Sequence, residues 1–245
     1  MNSQGSRSGI KKPPTPARLL RLTRPQCIAR TMIATLLPPE VSAVERRCDD
    51  SPAVIFPEEE ALIKRAVAPR RAEFATARAC ARQALEQMAV PVGPILRGAK
   101  REPIWPPGIV GSITHCTGYR AAAVARLTEV LTIGIDAEPH AAIPERVAAR
   151  VLDADERAWT AAAPAGIRWD RLIFSAKESV YKAWFPLARR FLDFNQATLA
   201  IDPVDSTFSA RVLVPAPAGV PNQFRGRYLV ADGLVITAIA VLRYA

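Results

Sequence analysis

"GSITHCTGYRAAAVARLTEVLTIGIDAEP", residues 111–139, decides the fold. It holds three strand-length apolar runs. "IVGSITHC" and "YRAAAVARL" are joined by Thr117-Gly118, and a third strand covers 131–137. Short apolar or alternating runs punctuated by turn residues read as antiparallel strands. The third run ends on two acids, Asp136 and Glu138. Residues i and i+2 of a strand point the same way, so both carboxylates share one face. Two adjacent anions repel, and burying them unpaired is costly. On spacing alone they read as solvated acids at an exposed strand end. The alternative is a hard divalent cation, which would remove both penalties.

Outward from this core, residues 69–88, "PRRAEFATARACARQALEQM", carry Phe74, Ala77, Ala81, Ala84, Leu85 and Met88 at helical spacing. Arg71, Arg78 and Arg82 align along one side of the same helix. A shorter helix is expected to start near Pro57, where three glutamates suit the positive helix end. Downstream, "PERVAARVL" and "DADERAWTAAA" read as short helical segments. Residues 167–185, "IRWDRLIFSAKESVYKAWF", form a second long helix. It places Glu178 and Lys182 one turn apart, and Ser175 and Ser179 likewise. The end is strand-rich, with Asp232-Gly233 as a hairpin turn. A helix followed by a hairpin occurs in both halves of the chain, which points to two related α/β units.

The 245 residues carry a net charge of +10. Residues 1–30 supply seven cations and no acid, so the excess belongs mainly to that stretch. Residues 1–31 are read as a disordered basic tail or an overlong start, with a transit peptide or an anion-binding arm as alternatives. No apolar run is long enough to span a membrane. Four scattered cysteines without a CxxC, and only two histidines, argue against a disulfide framework and a structural zinc. They fit reduced thiols in the cytoplasm. The "GSITHC" edge, with Thr114 and His115, offers donors suited to a phosphate.

"RRAEF", "PILRG", "GSITHC", "IGIDAEPH", "RWDRLIF", "AKES" and "YKAWFPL" occur in that order. The set resembles the 4′-phosphopantetheinyl transferase superfamily, in its surfactin- and enterobactin-type branch, closest to actinobacterial, mycobacterial-type members. The resemblance covers Met32 to the C-terminus. It implies an α+β fold of two similar α/β halves packed as a pseudo-dimer, here 32–128 and 129–245, in a monomer. The implied reaction is Mg²⁺-dependent transfer of phosphopantetheine from coenzyme A to a serine of an acyl, polyketide or peptidyl carrier protein, releasing 3′,5′-ADP. Mn²⁺ is the alternative metal.

By that resemblance, Asp136, Glu138 and Glu178 hold the metal, and Glu178 and Lys182 are catalytic. Arg70, Arg78, Arg97, Lys100, Thr114, His115 and Lys177 contact the coenzyme together with Asp136, Glu178 and Lys182. Phe191 lines the pantetheine tunnel, and Arg189 and Arg190 steer the carrier. Arg71 and Arg82 join the coenzyme site or else pair with Glu73 and Glu86. Ala137 departs from branches that place a polar residue between the two acids. A Mg²⁺-dependent phosphohydrolase and a nucleic-acid-binding protein are the competing readings; no membrane partner is expected.

Overall fold

The computed structural model of the chain describes residues 31–49 and 53–243. The reading of the basic N-terminal stretch therefore falls, except for Thr31, outside the described residues. The first half comprises β1 (Ser42–Arg46), α1 (Pro57–Leu62), α2 (Ala68–Gln87), β2 (Ile109–Cys116) and β3 (Tyr119–Arg126). The second comprises β4 (Val130–Pro139), α3 (Glu145–Val151), α4 (Ala154–Ala162), α5 (Trp169–Ala188), β5 (Ala197–Asp202), β6 (Thr207–Val212), β7 (Gln223–Ala231) and β8 (Leu234–Leu242). Among the described residues these form two antiparallel sheets, ordered β1-β3-β2 and β4-β8-β7-β6-β5.

The sequence patterns explain the layers. In β3, Ala122 and Val124 bury against Cys80, Ala81, Ala84 and Leu85 of α2. The alternate residues Ala121, Ala123 and Ala125 join Ile133, Ile135, Ile236 and Ala238 in a central core capped by Met32, Ile33 and Leu36. A strand buried on both faces reads as a continuous apolar run, as β3 does. On the other side of the larger sheet, α5 packs Leu172, Ala176, Val180 and Trp184 onto Tyr228, Val235 and Ile239. The turns follow their chemistry: Asp232 and Gly233 both have positive φ, 51° and 73°, between Ala231 and Leu234.

β2 and β4 meet at a seam without a shared backbone ladder. Hydroxyls take the place of carbonyls: Ser112 Oγ accepts from the Ile135 amide and Thr114 Oγ1 from the Ala137 amide, each at 3.1 Å. The seam lines up the C-terminal ends of both strands.

Two buried charges lock helices rather than bind ligands. Glu59 of α1 is fully buried and accepts from Arg82 at 2.9 and 3.1 Å and from the Ile95 amide at 2.8 Å. Arg71 pairs with Glu60. The arginine stripe of α2 is real, but Arg71 and Arg82 are held by α1, not by Glu73 and Glu86. Lys177 is the second case. It was expected at the coenzyme, yet its ammonium is buried and bonds Glu156 at 2.7 Å, Val151 O at 2.8 Å and Phe194 O at 3.0 Å. Lys177 points into the α3–α4 core, and that expectation is corrected.

α5 approaches β4 closely because Gly134 has no side chain. A Cβ there would overlap the Ser179 carbonyl on α5. Gly134→Ala is expected to cost about 1–3 kcal/mol by forcing the helix off the strand, measured by urea denaturation. Lys177→Ala leaves Glu156 buried and unpaired, and is expected to cost about 3–5 kcal/mol in the same measurement.

Candidate active site

The site lies where the C-terminal ends of β2 and β4 face α5. Asp136 is 5% exposed and fully engaged. Its Oδ1 accepts from Lys182 Nζ at 2.8 Å and from Thr114 Oγ1 at 3.3 Å. Its Oδ2 accepts from Ser175 Oγ at 2.8 Å. Ser175 in turn lies 3.0 Å from Thr237 Oγ1, on the β8 residue paired with Asp136. Lys182 also donates to Ile135 O at 3.0 Å. The two serines one turn apart on α5 thus serve a hydrogen-bond network: Ser179 meets Thr237 Oγ1 at 2.7 Å.

Glu138 emerges on the same strand face and pairs with Arg171 at 2.8 Å. Arg171 was not foreseen; it stands one helical turn and three further residues before Glu178. Burial, with Asp136 nearby, pushes the Glu138 carboxyl up to about 7. Burial also raises Glu178, where Lys182 pulls down and Asp136 pushes up. The three acids therefore sense the same site. They do not form a preformed cage: among the described residues no three Asp, Glu, His or Cys side chains stand together as metal ligands. Lys182 and Arg171 hold the positive positions beside Asp136 and Glu138. The donor type still suits a hard cation, since hard cations take oxygen ligands and these carboxylates repel one another.

Beside the acids is a cationic cavity of about 230 Å³. Arg70, Arg78, Arg97, Arg101 and His115 line it around Phe74. Arg78 and Arg97 sit over the Phe74 ring, 3.5 and 4.9 Å from its centroid. Arg78 is further fixed by donating Nε to Ile95 O at 3.0 Å. Burial first, then the charge of Arg97, lowers the Arg78 guanidinium to about 9; Arg97 is lowered by burial and by Arg70 and Arg101. Arg70 Nη1 lies 2.8 Å from one ring nitrogen of His115 and 3.2 Å from the other. A guanidinium cannot accept, so the imidazole is neutral here. Burial and Arg70 hold its pKa down to about 4. Glu73 supports Arg70 at 3.0 Å and is itself held by buried Arg120 at 3.4 Å.

The expected residues thus divide. Arg70, Arg78, Arg97 and His115 meet at the cavity, and Asp136 and Lys182 meet beside it. Thr114 is buried and spends its hydroxyl on Asp136 and the seam, so it positions the acid. Lys100 is exposed on its turn, while its neighbour Arg101 faces the cavity. Arg101 was missed because nothing in the sequence marks its left-handed backbone, φ 70°. Phe191 is 62% exposed and meets Tyr181 at 5.7 Å between ring centroids.

Two family models match this architecture, the 4′-phosphopantetheinyl transferase N-terminal domain over residues 58–125 and the 4′-phosphopantetheinyl transferase superfamily over residues 132–227. The chain belongs to the 4′-phosphopantetheinyl transferase superfamily. It is 49% identical over 220 residues to 4′-phosphopantetheinyl transferase Svp of Streptomyces mobaraensis, covering 86% of this chain and 89% of the relative. It is 46% identical over 224 residues to 4′-phosphopantetheinyl transferase PptT of Mycobacterium tuberculosis, covering 86% and 98%. Enterobactin synthase component D of Salmonella typhimurium is 34% identical over 183 residues, covering 71% and 73%. The chain is an enzyme of the 4′-phosphopantetheinyl transferase kind.

His115 gives a direct check of the cavity's charge. Its imidazole is expected to titrate near pH 4 by NMR in the free enzyme, well below an ordinary histidine at about 6.5. A bound anion would favour the imidazolium, so the midpoint should rise when a phosphate ligand is added. A midpoint near 6.5 in the free enzyme would contradict the arrangement.

Proposed function

We propose that the enzyme transfers the 4′-phosphopantetheine group of coenzyme A to a serine of an acyl, polyketide or peptidyl carrier protein, releasing 3′,5′-ADP. The observation that carries this reading is the cavity of four guanidiniums and one imidazole beside the Asp136–Lys182 pair. So many cations lowering one another's pKa call for a polyanion, and the phosphates of coenzyme A supply one. The charge of Lys182 is felt by His115 on one side and by Glu138 and Glu178 on the other. These shared influences support a reading in which the phosphate-binding cavity and the reacting centre adjoin.

In this mechanism Arg70, Arg78, Arg97, Arg101 and His115 bind the nucleotide phosphates. The serine oxygen attacks the phosphorus that bears pantetheine, and the bond from that phosphorus to the departing 3′,5′-ADP breaks in line. Glu178 accepts the serine proton, directly or through a water. Lys182 faces the charge that develops on the leaving phosphate, with Asp136 and Ile135 O aiming its ammonium. Asp136, Glu138 and Glu178 would hold Mg²⁺, or Mn²⁺, which would neutralise and orient the diphosphate. Phe191 and Tyr181 offer an apolar wall for pantetheine, and Arg189 and Arg190 a cationic approach for an acidic carrier. The reading places the enzyme in the cytoplasm as a monomer built of two halves, 32–128 and 129–245. Among the described residues no helix is long and apolar enough to cross a membrane.

Mass spectrometry of an apo carrier incubated with enzyme, coenzyme A and Mg²⁺ tests the proposal. The carrier is expected to gain the mass of one phosphopantetheine group. A phosphohydrolase would leave its mass unchanged. Asp136→Ala and Glu178→Gln should each lose transfer by at least about a hundredfold. Glu178→Gln should keep the thermal transition of the parent, while Asp136→Ala should lower it by leaving Lys182, Thr114 and Ser175 without their acceptor. His115→Ala should chiefly raise the KM for coenzyme A.

A further inference from the structure

Arg97 and Arg101 reach the cavity from a tight turn, 97–103. Arg97 and Pro103 form an antiparallel bridge, the Gly98 amide donates to Glu102 O at 2.8 Å, and the Arg101 amide donates to Gly98 O at 3.0 Å. The turn is strained, because Arg101 is a non-glycine residue at positive φ. Such a conformation costs on the order of 1 kcal/mol and persists only when its surroundings hold it.

The Glu102 side chain is what lies across this turn. Its Oε2 accepts from the Lys100 amide at 2.9 Å. Its carboxylate packs onto the Cα of Gly98, where a Cβ would overlap it. The carboxylate also meets Arg189 at 3.4 Å, but Arg189 is 69% exposed. An exposed pair of that kind contributes about 0–1 kcal/mol, so the contact with Arg189 is not the reason for the placement.

We propose that Glu102 is a positioning residue for the coenzyme site. Its carboxylate straps the turn so that Arg97 and Arg101 both face the cavity. This rests on the coenzyme A reading of that cavity and adds a determinant of coenzyme affinity that touches no substrate.

The sign of one substitution separates the strap from simple electrostatics. Glu102 is an anion beside a cationic cavity. If it acted only through charge, removing it would tighten anion binding. As a strap, its loss frees the turn and weakens binding. Isothermal titration of 3′,5′-ADP into wild type, Glu102→Gln and Glu102→Ala is the experiment. The glutamine oxygen still accepts from the Lys100 amide while the charge is gone. Glu102→Gln should therefore bind as tightly as wild type or more tightly. Glu102→Ala should bind about tenfold more weakly, a difference readily measured.

In turnover, Glu102→Ala should raise the KM for coenzyme A by a similar factor while kcat and the carrier KM stay within about twofold. Binding by Glu102→Ala equal to or tighter than wild type overturns the strap, and so does equal weakening in both variants. Failure of the wild type to bind 3′,5′-ADP would overturn the coenzyme reading instead, so the two failures are distinguishable.

Discussion

β2 and β4 run together at the seam without forming a ladder, and the site depends on how that edge is satisfied. Buried amides need partners, since an unmade bond costs about 1–3 kcal/mol. Ser112 and Thr114 supply them at i and i+2, spaced to meet the amides of Ile135 and Ala137. A slip of one residue would turn both hydroxyls to the wrong face and strand those amides. The seam therefore fixes a register between two sheets that share no backbone pairing. His115 follows Thr114 on one strand, and Asp136 precedes Ala137 on the other. The same two hydroxyls thus bring His115 and the cationic cavity alongside the acids. Thr114 serves both ends of this arrangement, because it also donates to Asp136.

Short apolar or alternating runs and the two glycine turns made the strands legible from sequence, and the helical spacing of α2 and α5 located both long helices within about three residues at each end. The shared face of Asp136 and Glu138 was equally legible, because strand geometry alone requires it. What could not be read was which charges pair. Spacing left Arg82 open between the coenzyme site and a pairing with Glu86, and its partner is instead Glu59, 23 residues away. Lys177 sits in a motif next to Glu178, yet adjacent helical residues point about 100° apart, and only Glu178 faces the strand ends. The partner of Lys177 is Glu156, 21 residues earlier on another helix. Local spacing carries no information about such pairs. Thr237 was hidden for the same reason: it meets Ser175 only because β8 returns from the chain's end to pair with β4.

The two kinds of charge in this molecule obey different energetics. Glu59–Arg82 and Lys177–Glu156 are closed pairs with their remaining donors and acceptors occupied, so burial is compensated within the fold. The cavity arginines are only partly paired, Arg78 with Glu59 at 3.8 Å and Arg70 with Glu73 at 3.0 Å, and they face one another. Burial and then the charge of Arg97 lower Arg78, while burial, Arg70 and Arg101 lower Arg97. Stability alone would disfavour this grouping, because like charges held together in a partly desolvated space repel.

Phe74 moderates the cost. One buried ring receives Arg78 and Arg97, so part of their desolvation is offset by cation–π contact. Glu73 anchors Arg70 from behind without entering the cavity, leaving the open side positive. The acids show the opposite imbalance, with burial and mutual repulsion raising Glu138 and Glu178. Lys182 stands between the two regions and interacts with both. A ligand that carries negative phosphates to the cavity and brings a cation to the acids would relieve both strains at once. The two imbalances, excess positive charge at the cavity and excess negative charge at the acids, thus meet across the seam at Lys182.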